Sequence, residues 1–461
     1  MTLITSISGI RGTLGGLPGE SLTPPDVVKY ACAYGAWLLE TQATPKVVIG
    51  RDARPSGPMI AGLVRESLRM MGISVIDLGL STTPTVEMAV VFEQAGGGII
   101  LTASHNPGNW NALKLLNASG EFISAQDGAR ILELAASGNF PFVESKKMGS
   151  LKEDSKALGK HIKAILALPE VDVEAIKARN FRVMVDAVNS SGGIAVPMLL
   201  EALGVNQVEK LYCEPTGQFP HNPEPLPENL TVISSEIQKG KYDLGIVVDP
   251  DVDRLVFINE DGSMFGEEYT LVAVADYVLG FNPGNTVSNL SSTRALQDVT
   301  EKHGHTYTAA AVGEVNVVAR MKATQAVIGG EGNGGVIYPA LHYGRDALVG
   351  IALFLTHLAK KGMSASRLRA SYPSYHISKN KIELTPTTDV DLILKQVQQK
   401  YAKQPINLED GVRIEFDKTW VHLRRSNTEP IIRIYAEADS RTTADALAGK
   451  IIQDIKELLV K

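Results

Sequence analysis

Residues 102–107 read Thr-Ala-Ser-His-Asn-Pro, a serine and a histidine on a segment closed by a proline. The apolar run Gly98-Ile99-Ile100-Leu101 before them fits a buried strand. Ser104 is therefore expected on a loop at a strand's carboxyl end, where ligands bind in open α/β sheets. Far down the chain, Asp249-Pro250-Asp251-Val252-Asp253-Arg254 follows a second apolar run, Leu244 to Val248. Three carboxylates this close repel one another and raise each other's pKa unless a cation intervenes. Hard oxygen donors of this kind suit Mg²⁺, which commonly shares its shell with a phosphate. A hydroxyl that can carry a phosphoryl group, beside an ion that neutralises the moving charge, is what phosphoryl transfer requires.

Other segments could hold the rest of a phosphorylated ligand. Arg424-Arg425-Ser426-Asn427-Thr428-Glu429-Pro430, followed by Arg433, is rich in donors for an anion. Arg11, next to Gly12, adds a cation near the start. Lys114 lies shortly after Ser104 and could hold phosphate or move a proton. In Gly330-Glu331-Gly332-Asn333-Gly334-Gly335 the glycines permit close approach of a ligand to the backbone, and Glu331 and Asn333 could bond vicinal hydroxyls of a sugar. This loop matches neither a dinucleotide fingerprint nor a P-loop. His105 is placed to orient Ser104 or to fix its loop. His221, in a proline-rich stretch, is expected to be structural, and Arg345-Asp346 to form an ion pair.

Composition sets the frame. With 461 residues the chain should divide into several domains. Its 44% hydrophobic and 21% charged content is that of a soluble globular protein. A net charge of −6 argues against a general nucleic-acid binder. Cys32 and Cys213 give no disulfide framework and no metal-ligand spacing. The amino terminus does not read as a secretory signal, and no apolar run reaches membrane-spanning length. A cytoplasmic enzyme acting on a small molecule is expected, with neither nucleic-acid nor membrane partner; monomer and dimer both remain open.

The elements that must position these residues recur three times. An opening strand (Lys46 to Gly50, Phe181 to Val185, Asn285 to Val287) is followed by a helix and a second strand (Gly72 to Ile76, Val205 to Tyr212, Thr306 to Ala311). A third strand then leads into Ser104, into the aspartates, or into the Glu331 loop. Alternation of this kind indicates three similar α/β domains with mostly parallel, mixed sheets. After Pro373 the pattern changes to helix, strands and a closing amphipathic helix, a small α+β domain. The expected boundaries are 1–152 (serine loop), 153–258 (acidic loop), 259–370 (glycine-rich loop) and 371–461 (basic loop).

In combination and in order, Thr102–Pro107, Asp249–Arg254, Gly330–Gly335 and Arg425–Pro430 resemble the α-D-phosphohexomutase family along essentially the whole chain. The resemblance implies four domains arranged as a heart around one deep cleft. It implies that Ser104 is a phosphoserine that joins Asp249, Asp251 and Asp253 in binding Mg²⁺, and that Glu331, Asn333 and Arg254 contact substrate. Arg425, Ser426, Asn427, Thr428 and Arg433 would hold the phosphate that is not reacting. Arg11 and Lys114 match positions that assist phosphoryl and proton transfer. The implied reaction exchanges hexose 6-phosphate and hexose 1-phosphate through a hexose 1,6-bisphosphate, which also serves as activator. Many bacterial relatives end the sugar loop in Ser-Gly-His, where this chain has Asn333-Gly334-Gly335. The wording through Tyr338-Pro339 and Gly344-Arg345-Asp346 looks most like phosphoglucosamine mutases of archaeal type and their bacterial counterparts. Phosphomannomutase/phosphoglucomutase is the alternative, and a Mg²⁺-dependent sugar phosphatase a more distant one.

Overall fold

The computed structural model describes residues 2–6, 9–383, 389–425 and 431–459. Its strands fall into four sheets. The first holds β1 (Leu3–Ser6), β2 (Gly9–Thr13), β3 (Lys46–Arg51), β4 (Ser74–Leu80), β5 (Gly97–Leu101), β6 (Trp110–Leu116) and β7 (Leu151–Glu153), in the order β1-β2-β6-β5-β3-β4-β7. The second holds β8 (Arg182–Asp186), β9 (Gln207–Leu211), β10 (Leu244–Val248) and β11 (Leu255–Asn259), ordered β11-β10-β8-β9. The third holds β12 (Thr286–Asn289), β13 (Tyr307–Ala310), β14 (Ile328–Glu331) and β15 (Gly335–Ile337), ordered β13-β12-β14-β15.

All three share one core topology. The opening strand is central and pairs in parallel with the second and third strands, as β3 does with β4 and β5. A fourth strand then returns antiparallel along the third: β6 on β5, β11 on β10, β15 on β14. The serine loop, the acidic loop and the glycine-rich loop are thus the same hairpin connection in three copies. The returning strands are what the repeat reading omitted. It also omitted the short edge strands β1 and β7 and the inner strand β2, which fall in stretches without a clear period.

The second and third units share one hydrophobic core. The helix Ala347–Lys361 lies buried between them, and Phe354 stacks on Phe257 of β11 with ring centroids 3.8 Å apart. Both cysteines are free and buried. No helix among the described residues is long and apolar enough to cross a membrane.

The fourth sheet is antiparallel: β16 (His376–Glu383), β17 (Ile406–Asn407), β18 (Val412–Glu415), β19 (Trp420–Arg425) and β20 (Ile431–Ala438), ordered β16-β20-β19-β18-β17. The helices Val390–Lys400 and Arg441–Leu459 cover it, with Val397, Ile414, Ile432 and Ile451 fully buried between. This unit docks on the third through polar contacts. Glu437, fully buried, accepts from the Arg294 amide at 3.0 Å. His422 Nδ1 lies 2.8 Å from the Ser291 hydroxyl, and its Nε2 lies 2.6 Å from the Asp410 carbonyl. Burial holds the His422 imidazole down at about 4. Unfolded chains protonate this group near 6.5. The unfolded state therefore binds the extra proton first, and stability falls as pH drops from about 6.5 toward 4. His422→Gln is expected to flatten that part of the profile, read as the urea midpoint at successive pH values.

Candidate active site

Ser104 sits on the β5–β6 hairpin loop with φ of 48°, a left-handed conformation held from several sides. Arg54, fully buried and paired with Asp52 at 3.0 Å, donates to the carbonyls of Ser104, Asn106, Pro107 and Trp110. One guanidinium therefore ties the whole loop. The Ser104 amide donates to Thr102 Oγ1 (2.9 Å), whose hydroxyl in turn donates to Asp52 (2.7 Å). Five donors on a planar fork explain why arginine occupies this place. Nothing in the local sequence singled out Arg54.

The acidic loop folds back on itself through Val252, a β-branched residue at φ 65° whose side chain is fully buried. That strained turn is unusual for valine, and it lets the three carboxylates converge. Ligand oxygens of Asp249, Asp251 and Asp253 all lie within 4.8 Å of one another, and all three residues are fully buried. Ser104 Oγ donates to Asp249 Oδ2 at 2.8 Å, which joins the first unit to the second. Thr83, at the start of the helix Thr83–Phe92, makes a second joint: its hydroxyl and its amide donate to Asp251 Oδ2 (2.6 Å) and to the Asp251 carbonyl (2.8 Å).

Lys114, on β6, reaches Asp251 Oδ2 at 2.7 Å and Asp253 Oδ2 at 3.4 Å. Burial alone would lower its pKa, but the two carboxylates overcome that and push it up to about 12. Its ammonium is thus kept charged. Burial, with Asp251 and Asp253 alongside, raises the Asp249 carboxyl well above its usual range. Asp251 is also desolvated, yet Lys114 outweighs that and holds it low. The neighbouring carboxylates and Lys114 thus push the Asp249 and Asp251 carboxyls in opposite directions. The donor set fits a hard divalent cation. Asp251 Oδ1 and Asp253 Oδ1 are buried with no hydrogen-bond partner among the described residues, and such orphaned carboxylate oxygens call for a cation.

A cavity beside Ser104 is lined by Gly9, Arg11, Thr102, Ser104 and Lys114 among others. Arg11 stands on β2, beside β6. Burial, followed by the nearby Arg254 cation, lowers its pKa. His105 shares this environment. Burial, then the charges of Arg254 and Arg11, drive its pKa well below the ordinary value, so the ring is neutral at pH 7. Arg254 donates its backbone amide to Asp249 Oδ1 (3.1 Å) and pairs through Nη1 with Glu224 (3.2 Å), which comes from the proline-rich loop. His221 of that loop contacts Asp186 at 3.1 Å, as a structural histidine does.

The glycine-rich loop meets the acidic loop directly, for the Leu255 amide donates to the Gly334 carbonyl at 3.0 Å. Glu331 Oε1 accepts from Asn289 (2.9 Å) and the Gly313 amide (3.1 Å); its Oε2 accepts from Arg345 (2.8 Å) and weakly from Asn333 (3.4 Å). Arg345 and Asp346 do not form the expected ion pair. Arg345 instead spreads over Asp253 (2.7 Å), Glu314 (2.8 Å) and Glu331 (2.8 Å), while Asp346 caps the helix Ala347–Lys361. Adjacent side chains leaving an extended residue point apart, and each found partners on other units. Arg345 is the main site residue that the sequence reading missed in kind. Its neighbour Glu314, raised by burial to about 7, was missed altogether.

Gly335 explains the departure from Ser-Gly-His. A Cβ there would lie 2.3 Å from Arg345 Cδ, so the arginine stem fills the space that a side chain at 335 would need. Gly335→Ala is expected to destabilise the protein by about 1–3 kcal/mol through overpacking, measured by urea denaturation, and to lower turnover by displacing Arg345. On the fourth unit, Arg425 ends β19, exposed, and Arg433 lies on β20 opposite Arg424. Ser426, Asn427 and Thr428 fall outside the described residues.

Repeated α/β units, joined at a serine and an acidic triad and followed by an antiparallel α+β unit, define a sugar-phosphate mutase architecture, and the comparisons agree. The chain matches phosphoglucomutase/phosphomannomutase alpha/beta/alpha domain I over residues 3–141, domain II over 159–262, domain III over 266–375 and the C-terminal domain over 385–453. It belongs to the phosphoglucomutase/phosphomannomutase, or α-D-phosphohexomutase, family, and is an isomerase of that family. A phosphoglucomutase/phosphomannomutase of Thermococcus kodakarensis is 36% identical over 440 residues, covering 94% of this chain and 95% of that protein. A phosphoglucosamine/phosphogalactosamine mutase of Sulfurisphaera tokodaii is 30% identical over 453 residues, covering 96% and 97%. A crystal structure of a phosphoglucomutase/phosphomannomutase family protein from Burkholderia thailandensis shares the fold, with a TM-score of 0.84 at 24% identity, covering 98% of this chain and 96% of that one.

Proposed function

We propose that the chain interconverts hexose 6-phosphate and hexose 1-phosphate, with Ser104 as the residue that gives and takes back the phosphoryl group. The bond from Ser104 Oγ to Asp249 inside the buried triad carries this reading. Asp249, Asp251 and Asp253 would hold Mg²⁺ together with the phosphorylated serine. When bound, the ion supplies charge neutralisation for the transferring group. Lys114, kept charged by Asp251 and Asp253, and Arg11 stabilise the same developing charge from the chain itself. His105, neutral and beside Ser104, is the group suited to orienting the hydroxyl.

Phosphoserine 104 would pass its phosphoryl group to the free hydroxyl of a hexose monophosphate, and the 1,6-bisphosphate would turn over and return the other phosphate to Ser104. Arg425, Ser426, Asn427, Thr428 and Arg433 would grip whichever phosphate is not reacting. Glu331 and Asn333, with Arg254, would contact the sugar. The acceptor capacity of Glu331 is already taken up, so a sugar hydroxyl would displace the weak Asn333 bond at 3.4 Å. Unit boundaries near 152, 258 and 370, and a cytoplasmic location, belong to the same proposal.

Glucosamine phosphate is the first choice of substrate, supported by the Asn333-Gly334-Gly335 wording and by the Sulfurisphaera relative. The Thermococcus relative, more similar in sequence, favours glucose or mannose phosphate as the second. Turnover of glucosamine-, N-acetylglucosamine-, mannose- and glucose-phosphates, each with its 1,6-bisphosphate, decides between them. The highest kcat/KM should fall on glucosamine phosphate. Release of inorganic phosphate outpacing isomerisation would instead mark a phosphatase and end the mutase reading.

A further inference from the structure

A second cluster of ligand-type side chains lies where three units meet. His161 comes from the helix Ala157–Leu166, and His342 and Asp346 come from the segment after β15. His161 and Asp346 are fully buried. His161 Nε2 lies 2.9 Å from Asp346 Oδ2, and His342 Nε2 lies 3.3 Å from the same oxygen. The three ligand atoms all lie within 4.8 Å of one another. The two rings meet at 88° rather than stacking, so their nitrogens converge from different directions. Asp346 uses its other oxygen, Oδ1, to cap a helix through the Leu348 amide at 2.8 Å, so Oδ2 is the oxygen turned toward both rings and the one that would ligate. Two imidazoles and one carboxylate form a typical donor set for Zn²⁺, with bonds of about 2.0–2.2 Å.

The outer atoms supply an independent observation. Glu87, on the helix Thr83–Phe92, is 1% exposed, and neither of its carboxylate oxygens has a hydrogen-bond partner among the described residues. It aims Oε2 at His342 Nδ1 across 3.4 Å, and that nitrogen has no hydrogen-bond partner either. His161 Nδ1 lies 3.0 Å from the Thr85 hydroxyl on the same helix. If both rings bind a metal through Nε2, each Nδ1 carries a proton and directs it at Glu87 or Thr85. Metal-bound histidines are oriented by outer partners of just this type. No lysine or arginine among the described residues forms an ion pair with Glu87 or Asp346, whose close partners of that kind are the imidazoles themselves, so a dication would add positive charge beside two buried carboxyl groups.

We propose that His161, His342 and Asp346 form a second metal site, separate from the aspartate triad, that takes a divalent transition-metal ion of the Zn²⁺ class with Glu87 and Thr85 as outer partners. The ion ties together the first, second and third units. It also fixes the helix whose first residue, Thr83, holds Asp251. Its role is structural.

The test uses the full chain, stripped of metal and kept in excess Mg²⁺, and titrates Co²⁺ as a spectroscopic probe. One equivalent should give the visible absorption of a nitrogen-bound, low-coordinate ion, which Zn²⁺ bleaches. Asp251→Asn should keep that band, His342→Gln should lose it, and Glu87→Gln should weaken the affinity by about 10–100-fold. Zn²⁺ should raise the thermal midpoint of the wild type but not of His342→Gln. The proposal is overturned if the wild type gives no such band. It is equally overturned if the band survives His342→Gln and disappears in Asp251→Asn, for the ion then sits in the triad. Should His342→Gln fail to fold by circular dichroism, an unchanged Co²⁺ affinity in Glu87→Gln would overturn it.

Discussion

Ser104→Ala is expected to reduce kcat by about 10⁴-fold or more, the scale seen when the group that makes and breaks the covalent bond is removed. Intact-mass measurement should show a phosphate-sized increment on a fraction of the wild-type molecules and none on the variant. The variant should remain folded, because the loop is held through backbone carbonyls by Arg54 and not through the serine hydroxyl. Thr83→Ala is the informative control. Thr83 also places a hydroxyl on the triad, 2.6 Å from Asp251, but it is fully buried, whereas Ser104 borders the cavity that Arg11 and Lys114 line. Thr83→Ala should therefore keep the mass increment. Full isomerisation by Ser104→Ala, or an increment that follows Thr83 instead, would refute the assignment of the nucleophile.

Arg345→Met should destabilise the protein by about 3–5 kcal/mol, because it strands the buried carboxylates of Asp253, Glu314 and Glu331 without their common cation. The loss would be read as a shift of the urea midpoint at neutral pH. Its pH dependence has a definite sign. Carboxylates left unpaired in a buried site hold their protons to higher pH than in the unfolded chain, so the variant should recover stability as pH falls through that range. Arg345→Lys should not rescue it, since one ammonium cannot face three carboxylates along the separate directions of a guanidinium. Pairing Arg345→Met with Glu314→Gln should return part of the loss. A variant as stable as the wild type would mean that the second and third units are held together without this contact.

The chemistry of the site was largely legible in the chain. The apolar runs before Ser104 and before Asp249 foretold that both sit at strand ends, since an uninterrupted apolar stretch bounded by a polar turn leaves few alternatives. The three-fold repeat was legible for the same reason. The returning strands β6, β11 and β15 were not, because they start within or just after the very loops that read as functional. β16 escaped because His376-Ile-Ser-Lys-Asn-Lys-Ile-Glu383 is a half-exposed edge strand with too few apolar residues to declare its period. Arg54, Glu224, Glu314 and the three-way role of Arg345 left no local mark either.

Sequence alone determined which residue types stand at which strand ends, because backbone periodicity and turn chemistry act over a few residues at a time. Tertiary structure alone decided which of those ends face each other. Asp249 meets Ser104 across 145 positions, and Arg345 meets Asp253 across 92. Contacts of that separation depend on how whole units pack, through shared cores such as the one around Phe257 and Phe354, and no spacing along the chain encodes them.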